Sequence, residues 1–185
     1  MIKIIATLLT FFAFSTSHAK TVNVGIILGF TGPIESLTPD MAAGAELAFS
    51  EASNSGKLLN GSTINVIRAD STCIDSAAAT SAAEGLVSQG VTAIMGADCS
   101  GVTGAVLSNV AVPNGIPMIS PSATSPALTT AEDNGMFFRT APSDARGGEV
   151  LADITSDRGI SSVAITYVNT DYGVGLADVY EAAAI

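Results

Sequence analysis

Short apolar runs bounded by glycine, proline and polar residues recur along the chain, and longer stretches with apolar residues three or four positions apart separate them. The short runs predict buried strands, and the longer stretches predict amphipathic helices. The predicted strands are 21–28, 63–69, 90–96, 116–119 and 162–168, with a short extended segment at 136–140. The predicted helices are 40–53, a helix that opens within 70–76 and runs to 89, 102–112, a helix that Ser143 and Asp144 cap and that runs through about 157, and 176–184. This alternation predicts an α/β fold with a doubly wound, mostly parallel sheet.

Two hydroxyl-rich turns follow neighbouring predicted strands. The strand at 90–96 leads into the turn 98–101, and the strand at 116–119 leads into the turn 120–124. The helix between the strands makes a right-handed crossover, so the strands are expected to be parallel and buried on both faces. Both turns then leave the carboxyl edge of the sheet, where open α/β sheets bind their ligands.

The chemistry of these turns favours an anion. Ser100 stands where a helix begins, and Ser122 and Thr124 stand in a turn held by Pro121 and Pro126. Backbone N–H groups and hydroxyls at such positions attract negative charge. Neither turn contains Lys or Arg, so a single carboxylate fits better than a chain of phosphates. The alternative is that the three hydroxyls only cap helices and close turns.

The amino terminus predicts export. Lys3 precedes an apolar stretch at 4–14, and small residues stand at the −3 and −1 positions before a cleavage site after Ala19. This pattern is typical of a secretory signal peptide at residues 1–19, and the apolar stretch is too short to span a membrane. The formal net charge of −10 opposes nucleic-acid binding, which needs basic patches, and no membrane insertion of the mature chain is expected.

The two cysteines, Cys73 and Cys99, suggest one disulfide in an exported chain. A zinc site competes poorly, because two thiols without a histidine do not complete a tetrahedral shell. Asp70 and Asp75 could bind a metal, but capping of the following helix is the favoured interpretation. The glycines after the first strand, and at 173 and 175, lack the spacing of a dinucleotide loop, so no cofactor is predicted.

Several segments together match one known family over nearly all of residues 20–185. They are Gly32-Pro33, 44–46, 70–73 paired with 98–100, 120–129, 138–140 and 171–175. The chain resembles type I periplasmic substrate-binding proteins, in the leucine/isoleucine/valine-binding branch that feeds ABC importers. The resemblance implies two doubly wound lobes with the ligand between them. It divides the chain into a signal peptide (1–19), a first lobe (20–140) and the beginning of a second lobe (141–185).

The resemblance also implies a ligand site. Ser100 and Thr124 would bind the α-carboxylate through hydroxyl and backbone N–H groups, and the Ser122 carbonyl with the Thr124 hydroxyl would accept from the ammonium. Ala123 belongs to the same turn, and Tyr172 would close over the ligand from the second lobe. The acidic partner of the ammonium would lie beyond residue 185. An aromatic residue that some members place over the ligand falls near Leu37 here, and Cys73 and Cys99 would form the family's disulfide.

The function implied is that of a monomeric periplasmic protein that captures an aliphatic or branched-chain amino acid and delivers it to an ABC permease. The alternative is the ligand-binding domain of a sensor for a small amino acid, amide or urea-like solute. An enzyme is disfavoured, because the chain after residue 19 has no histidine, no nucleophile elbow and no nucleotide loop.

Overall fold

Five parallel strands form one sheet in the computed structural model, which describes residues 19–185. The strands are β1 (Thr21–Leu28), β2 (Thr63–Asp70), β3 (Val91–Gly96), β4 (Met118–Ser120) and β5 (Phe137–Arg139). The helices are α1 (Thr38–Asn54), α2 (Ser76–Ser88), α3 (Ser100–Val106), α4 (Val112–Asn114), α5 (Ala145–Asp157) and α6 (Asp171–Ala184). A π turn at Leu107–Ala111 joins α3 to α4. The predicted signal peptide lies outside the described residues except for Ala19.

Helices cover both faces of the sheet at its centre, as the doubly wound prediction requires. Three successive residues at the end of β1, Ile26, Ile27 and Leu28, are fully buried. Ile26 and Leu28 pack against α1, whereas Ile27 packs into the core formed with α2 and α3. Because alternate side chains of a strand point to opposite faces, an uninterrupted apolar run is stable only where both faces are covered.

The order of the strands creates a crevice at one edge of the sheet. The order is β2-β1-β3-β4-β5, so the chain runs outward in one direction from β1 to β2 and in the other from β3 to β5. The loop after β1 therefore leads to α1 on one face of the sheet, and the loop after β3 leads to α3 on the other face. A reversal of this kind leaves an open crevice at the carboxyl ends of the two strands.

The expectation that β4 is buried on both faces is wrong. Strand pairing places Ile26, Met95, Ile119 and Phe138 in one row across the sheet. Ile26 is fully buried, but Ile119 is 42% exposed and Phe138 is 56% exposed. The physical reason is that α1 packs over β1 and β2, and no helix among residues 19–185 packs on this face of β4 and β5.

The strand predicted at 162–168 is also not observed. The segment carries no strand assignment, and among residues 19–185 it has no strand partner. Its β-branched residues match the pattern of a strand, but a strand needs a ladder of hydrogen bonds to a neighbour. The flanking helices α5 and α6 do form and pack together, with the Thr155 hydroxyl 3.0 Å from the Tyr180 hydroxyl. The proposed division into lobes at residue 140 stays a prediction.

Within residues 19–185, no helix combines the length and the apolar character that crossing a bilayer requires.

Gly96 ends β3 in a position that excludes a side chain. Its φ is +128°, and a Cβ built there would overlap the carbonyl oxygen of Ile27 on the neighbouring strand. The close approach of the two backbones brings the carboxyl ends of β1 and β3 together at the crevice. The glycine therefore fixes the geometry on which the loops beyond it depend.

We expect Gly96→Ala to lower the free energy of unfolding by about 2–3 kcal/mol, because the backbone conformation is strained and the new methyl group overlaps Ile27. Gly90→Ala is the matched control, since Gly90 also has a positive φ of +73° but nothing within 4 Å of its built Cβ. The control should lose only about 1 kcal/mol. Urea denaturation of both variants tests this, and equal losses would rule out the contact with Ile27.

Candidate ligand-binding site

An open cleft of about 700 Å³ lies at the carboxyl edge of the sheet. Its polar part includes Ser100, Ser122, Thr124 and Asp144, from the ends of β3, β4 and β5. Its apolar wall comes from the loop after β1 and from the segment that precedes α2, and the start of α6 lies across the opening. The apolar lining residues are Pro33, Ile34, Leu37, Met41, Ile74, Val102, Val168 and Tyr172.

Two other cavities, of about 830 and 530 Å³, lie beside α5 and α6. Both are lined by residues of 160–168, the segment that has no strand partner among the described residues. These two cavities therefore lie along the sides of α5 and α6 that no strand covers within residues 19–185. The cleft at the crevice of the five-stranded sheet is the better candidate for a binding site.

Ser100 offers a hydrogen-bond donor to the cleft. It is the first residue of α3 and is only 4% exposed. Its Oγ accepts a hydrogen bond from the Ser125 backbone N–H, at 3.1 Å. Within residues 19–185, no group accepts a hydrogen bond from the Ser100 hydroxyl, so its proton is available to a ligand. A hydroxyl that is fixed through its acceptor side and free on its donor side is suited to bind an anion.

Thr124 supplies a second hydroxyl. Its carbonyl oxygen accepts a hydrogen bond from the Asp144 backbone N–H, at 3.0 Å, which fixes the backbone of the turn. Its side chain lines the cleft, and its hydroxyl makes no hydrogen bond to the described part of the chain. Ser100 and Thr124 come from turns that follow two adjacent strands, as the sequence predicts, and both line the same cleft.

Ser122 and Ala123 hold the turn in place. The Ser122 hydroxyl donates to the Asp98 carbonyl at 2.9 Å, which joins the turn after β4 to the turn after β3. Ala123 is 1% exposed and lies outside the cleft lining, and its N–H donates to the Ser120 hydroxyl at 3.0 Å. The structure therefore brings Ser122 to the cleft and places Ala123 behind it. A direct contact between Ala123 and a ligand stays a prediction.

Arg139 braces the same turn from β5, and sequence reasoning missed this role. Its guanidinium donates to the carbonyl oxygens of Ala123 and Ser125, the latter at 2.9 Å. Arg139 is the strand partner of Ser120, whose hydroxyl accepts from the Ala123 N–H. Two neighbouring strand ends thus satisfy the backbone groups of one turn, and this leaves the Thr124 hydroxyl available.

Asp144 is the second residue that sequence reasoning did not assign to the site. Asp144 occupies the N-cap position of α5, and its carbonyl oxygen accepts from the Gly148 N–H at 3.0 Å. Its side chain makes no capping hydrogen bond, whereas the Ser143 hydroxyl accepts from the Ala145 N–H at 3.3 Å. The Asp144 Oδ2 atom is buried and has no hydrogen-bond partner among residues 19–185. Its position after β5, at the same sheet edge as Ser100 and Thr124, is the signal that could have identified it.

The disulfide between Cys73 and Cys99 is present, with a Cα–Cα distance of 5.2 Å, as predicted. It joins the segment after β2 to the turn that carries Ser100. Within residues 19–185, no three His, Cys, Asp or Glu side chains are grouped so that they could hold a metal ion. Asp75 instead caps α2 through the N–H groups of its second and third residues.

Asp70 ties the end of β2 to the loop after β1. Burial raises the pKa of its carboxyl, but hydrogen bonds from the Thr31 hydroxyl and from the backbone N–H groups of Thr72 and Thr31 outweigh burial and hold the pKa below its ordinary value. The carboxylate is therefore ionised at neutral pH and keeps the loop after β1 beside the disulfide.

Tyr172 approaches the cleft from α6. It lies in the first turn of the helix and is 45% exposed. The helix contacts the turns of the sheet closely, because a Cβ on Gly175 would lie 3.2 Å from the Ser125 Oγ and one on Gly101 would lie 3.4 Å from the Asp171 Oδ2. Small residues at these two points allow α6 to place Tyr172 at the rim opposite the apolar wall.

Comparison with known proteins agrees with this architecture. A family model described as periplasmic binding protein matches residues 21–184. The Leu/Ile/Val-binding protein homolog 3 of Brucella melitensis is 32% identical over 171 residues, which are 92% of this chain and 45% of that protein. BasB of Halobacterium salinarum, a chemotactic signal transduction system substrate-binding protein, is 32% identical over 168 residues, which are 86% and 40% of the two chains.

A solved structure shows the same fold. The ABC transporter substrate-binding protein from Desulfitobacterium hafniense, crystallised in complex with Leu, matches with a TM-score of 0.70 and 28% identity, over 89% of this chain and 47% of that chain. The chain thus spans less than half the length of the curated relatives given above.

We expect the double variant Cys73→Ser/Cys99→Ser to lose about 3–4 kcal/mol of unfolding free energy, because the bridge closes a loop with a sequence separation of 26. Urea denaturation measures the loss. A reducing agent should lower the stability of the parent protein by a similar amount and leave the double variant unchanged. An unchanged midpoint in the double variant would mean that the bridge does not restrain the unfolded chain.

Proposed function

Because the chain belongs to the periplasmic binding protein family, we propose that it is the ligand-capturing part of a receptor for an aliphatic amino acid, which it delivers to an ABC permease. This family consists of binding proteins rather than enzymes. The proposal places the mature chain in the periplasm as a monomer, after removal of the signal peptide predicted at residues 1–19. The observation that supports it most directly is a cleft in which the Ser100 and Thr124 hydroxyl protons and the Asp144 Oδ2 atom have no hydrogen-bond partner among the residues that the structure describes.

The two hydroxyls would bind the α-carboxylate. Ser100 and Thr124 carry protons that no described residue accepts, and both line the cleft. Neutral donors suit a single carboxylate, because hydrogen bonds to an ionised acceptor are stronger than those between neutral groups. Ser122 contributes its carbonyl oxygen to the ammonium, with the Thr124 hydroxyl oxygen as a second acceptor.

Asp144 would balance the ammonium. A buried carboxylate oxygen without a hydrogen-bond partner is costly, and a bound cation would supply both a donor and the opposite charge. An acidic partner for the ammonium is therefore available within this chain, whereas the resemblance alone placed it beyond residue 185. A zwitterion joins the two subsites without burying a net charge of its own.

The rest of the cleft fits an aliphatic side chain. Leu37, Met41 and Ile74 form an apolar wall, and Tyr172 faces it from α6. Among residues 19–185, no Lys or Arg lines the cleft, so an apolar side chain of the ligand is favoured there over an acidic one. Leu37 stands where some family members place an aromatic residue, and its smaller, flexible side chain leaves room for a branched ligand.

Capture would involve closure of two lobes. The sheet that carries Ser100, Thr124 and Asp144 forms one side, and α6 with Tyr172 forms the other. A ligand that contacts both sides stabilises the closed arrangement by its greater affinity for that arrangement.

A sensory role is the second candidate. It is supported by the similarity to BasB, which is named as part of a chemotactic signal transduction system. The ligand site would be the same in either role, so the partner distinguishes them. Co-purification with an ABC permease supports transport, whereas co-purification with a chemotaxis transducer supports sensing.

We expect Thr124→Val to weaken leucine binding by about 1–3 kcal/mol in the full-length protein, because one buried carboxylate oxygen would lose its donor. Isothermal titration calorimetry measures the change. Thr92→Val is the matched control, since Thr92 is exposed near the start of β3, at the opposite edge of the sheet. Equal affinity in the Thr124 variant and the parent protein would contradict the assigned role.

We expect Asp144→Asn to weaken leucine binding at least about tenfold, because a charge-assisted hydrogen bond to the ammonium would be lost. Binding of 4-methylpentanoate, which lacks the ammonium, should change by less than about twofold. Asp153→Asn, at an exposed position of α5, controls for the change in net charge. Similar losses for both ligands would show that Asp144 shapes the cleft and does not bind the ammonium.

A further inference from the structure

Asp98 is a buried carboxylate that the proposed ligand contacts do not use. It is 2% exposed and lies in the turn after β3, next to the disulfide residue Cys99. Its Oδ2 accepts from the Gly29 N–H at 2.7 Å. Its Oδ1 accepts from the Ser71 hydroxyl at 3.1 Å and from the Cys99 N–H at 3.0 Å. We refer to the carboxylate and these three donors as the Asp98 clamp.

The donors of the Asp98 clamp come from three different loops. Gly29 follows β1, Ser71 follows β2 and Cys99 follows β3. The carbonyl oxygen of Asp98 accepts from the Ser122 hydroxyl, which belongs to the turn after β4. One residue therefore connects four strand ends at the edge of the sheet where the cleft lies.

All three donors to the carboxylate are neutral. The two ion pairs found within residues 19–185 join Arg68 to Glu46 and Arg146 to Glu149, so Asp98 has no cationic partner there. A buried carboxylate without a cation is stable only when several donors are directed at it. The reverse also holds: the charge draws the donors to fixed positions, and moving any one of them away is costly.

We infer that Asp98 is a positioning residue of the ligand site, which sets the distance between the apolar wall and the Ser100 and Thr124 hydroxyls. The inference rests on the function proposed above. The clamp holds Gly29, where the loop leading to the apolar wall begins, and Cys99, which precedes Ser100. The backbone carbonyl of the same residue holds the Ser122 hydroxyl, and with it the turn that carries Thr124, so a shift of Asp98 would also move that turn. Asp98 also borders the cleft, but both of its carboxylate oxygens already accept hydrogen bonds from Gly29, Ser71 and Cys99, so the role inferred for it is to hold these groups and not to bind the ligand.

The variant Asp98→Asn keeps the shape of the side chain and breaks the clamp. An amide has one acceptor oxygen and one NH₂ group, whereas a carboxylate has two acceptor oxygens. The NH₂ group of the asparagine therefore faces a backbone N–H that needs an acceptor. In one orientation the NH₂ faces the Gly29 N–H, and in the other it faces the Cys99 N–H. Either way one loop loses its anchor.

The experiment compares three variants of the full-length protein with the parent, by leucine titration and thermal unfolding. Asp98→Asn should weaken leucine binding at least about tenfold at a temperature where it is fully folded. Ser71→Ala removes one of the three donors and should weaken binding about two- to fivefold.

Asp133→Asn is the matched control, because Asp133 also accepts from two backbone N–H groups but precedes β5, at the opposite edge of the sheet.

A readout without ligand keeps the inference separate from the proposed function. Amide hydrogen exchange at Gly29 and Cys99 should be at least about tenfold faster in Asp98→Asn, whereas Ile94, whose N–H is bonded within the sheet to the Pro117 carbonyl, should be unchanged. If the parent protein binds no amino acid, the proposed function fails and the exchange rates alone decide on the clamp.

Two results would overturn the inference. The first is a lower melting temperature for Asp98→Asn with unchanged leucine affinity and unchanged exchange at Gly29 and Cys99, which is the behaviour of a residue that only supports the fold. The second is equal weakening by Asp98→Asn and Asp133→Asn. If Asp98→Asn does not fold, Ser71→Ala decides: weaker binding supports the clamp, and unchanged binding overturns it.

Discussion

Parallel pairing of the strands is the constraint on which the site depends. Because all five strands run in the same direction, every loop that follows a strand emerges at one edge of the sheet. Ser100, Thr124 and Asp144 are far apart in sequence and lie together for this reason alone. The close backbone approach at Gly96 and the fully buried end of β1 keep that edge compact. Without the parallel ladder, these hydroxyls would not line one cleft.

Much of the fold follows from local patterns in the sequence. The strand at 21–28 is observed with the predicted limits, because its apolar run begins after Lys20, ends at Gly29 and has its last residues buried on both faces. The predicted helix at 40–53 begins two residues earlier, at Thr38, where Pro39 suits the first helical turn. The disulfide was predictable because an exported chain with two cysteines has one possible pairing within itself.

Other features depend on neighbours that a local pattern does not reveal. The segment 162–168 has the composition of a strand but lacks a partner among residues 19–185. Ile119 is as apolar as Ile26, and only the position of α1 decides that one is exposed and the other is buried. Asp144 looked like a helix cap because capping is decided by residues nearby in sequence. Its actual surroundings come from the turn after β4, twenty positions away.

The site combines fixed backbone with free polar atoms. Arg139 and the Ser120 hydroxyl satisfy the backbone of the turn that carries Thr124, and the Ser125 N–H occupies the acceptor side of Ser100. Each internal hydrogen bond removes one way in which the turn could rearrange, so the remaining donors and acceptors are preorganised. Preorganisation of this kind lowers the entropic cost of binding a small, rigid headgroup.

The hydrogen bond between the Asp144 N–H and the Thr124 carbonyl has a consequence for the order of events. It fastens the chain to the sheet five residues beyond the last strand, so in the proposed two-lobe arrangement the pivot would lie after Asp144. The proposed carboxylate and ammonium subsites would then move as one rigid unit. In that arrangement an amino acid would dock its headgroup on the open form first, and α6 would close over it afterwards.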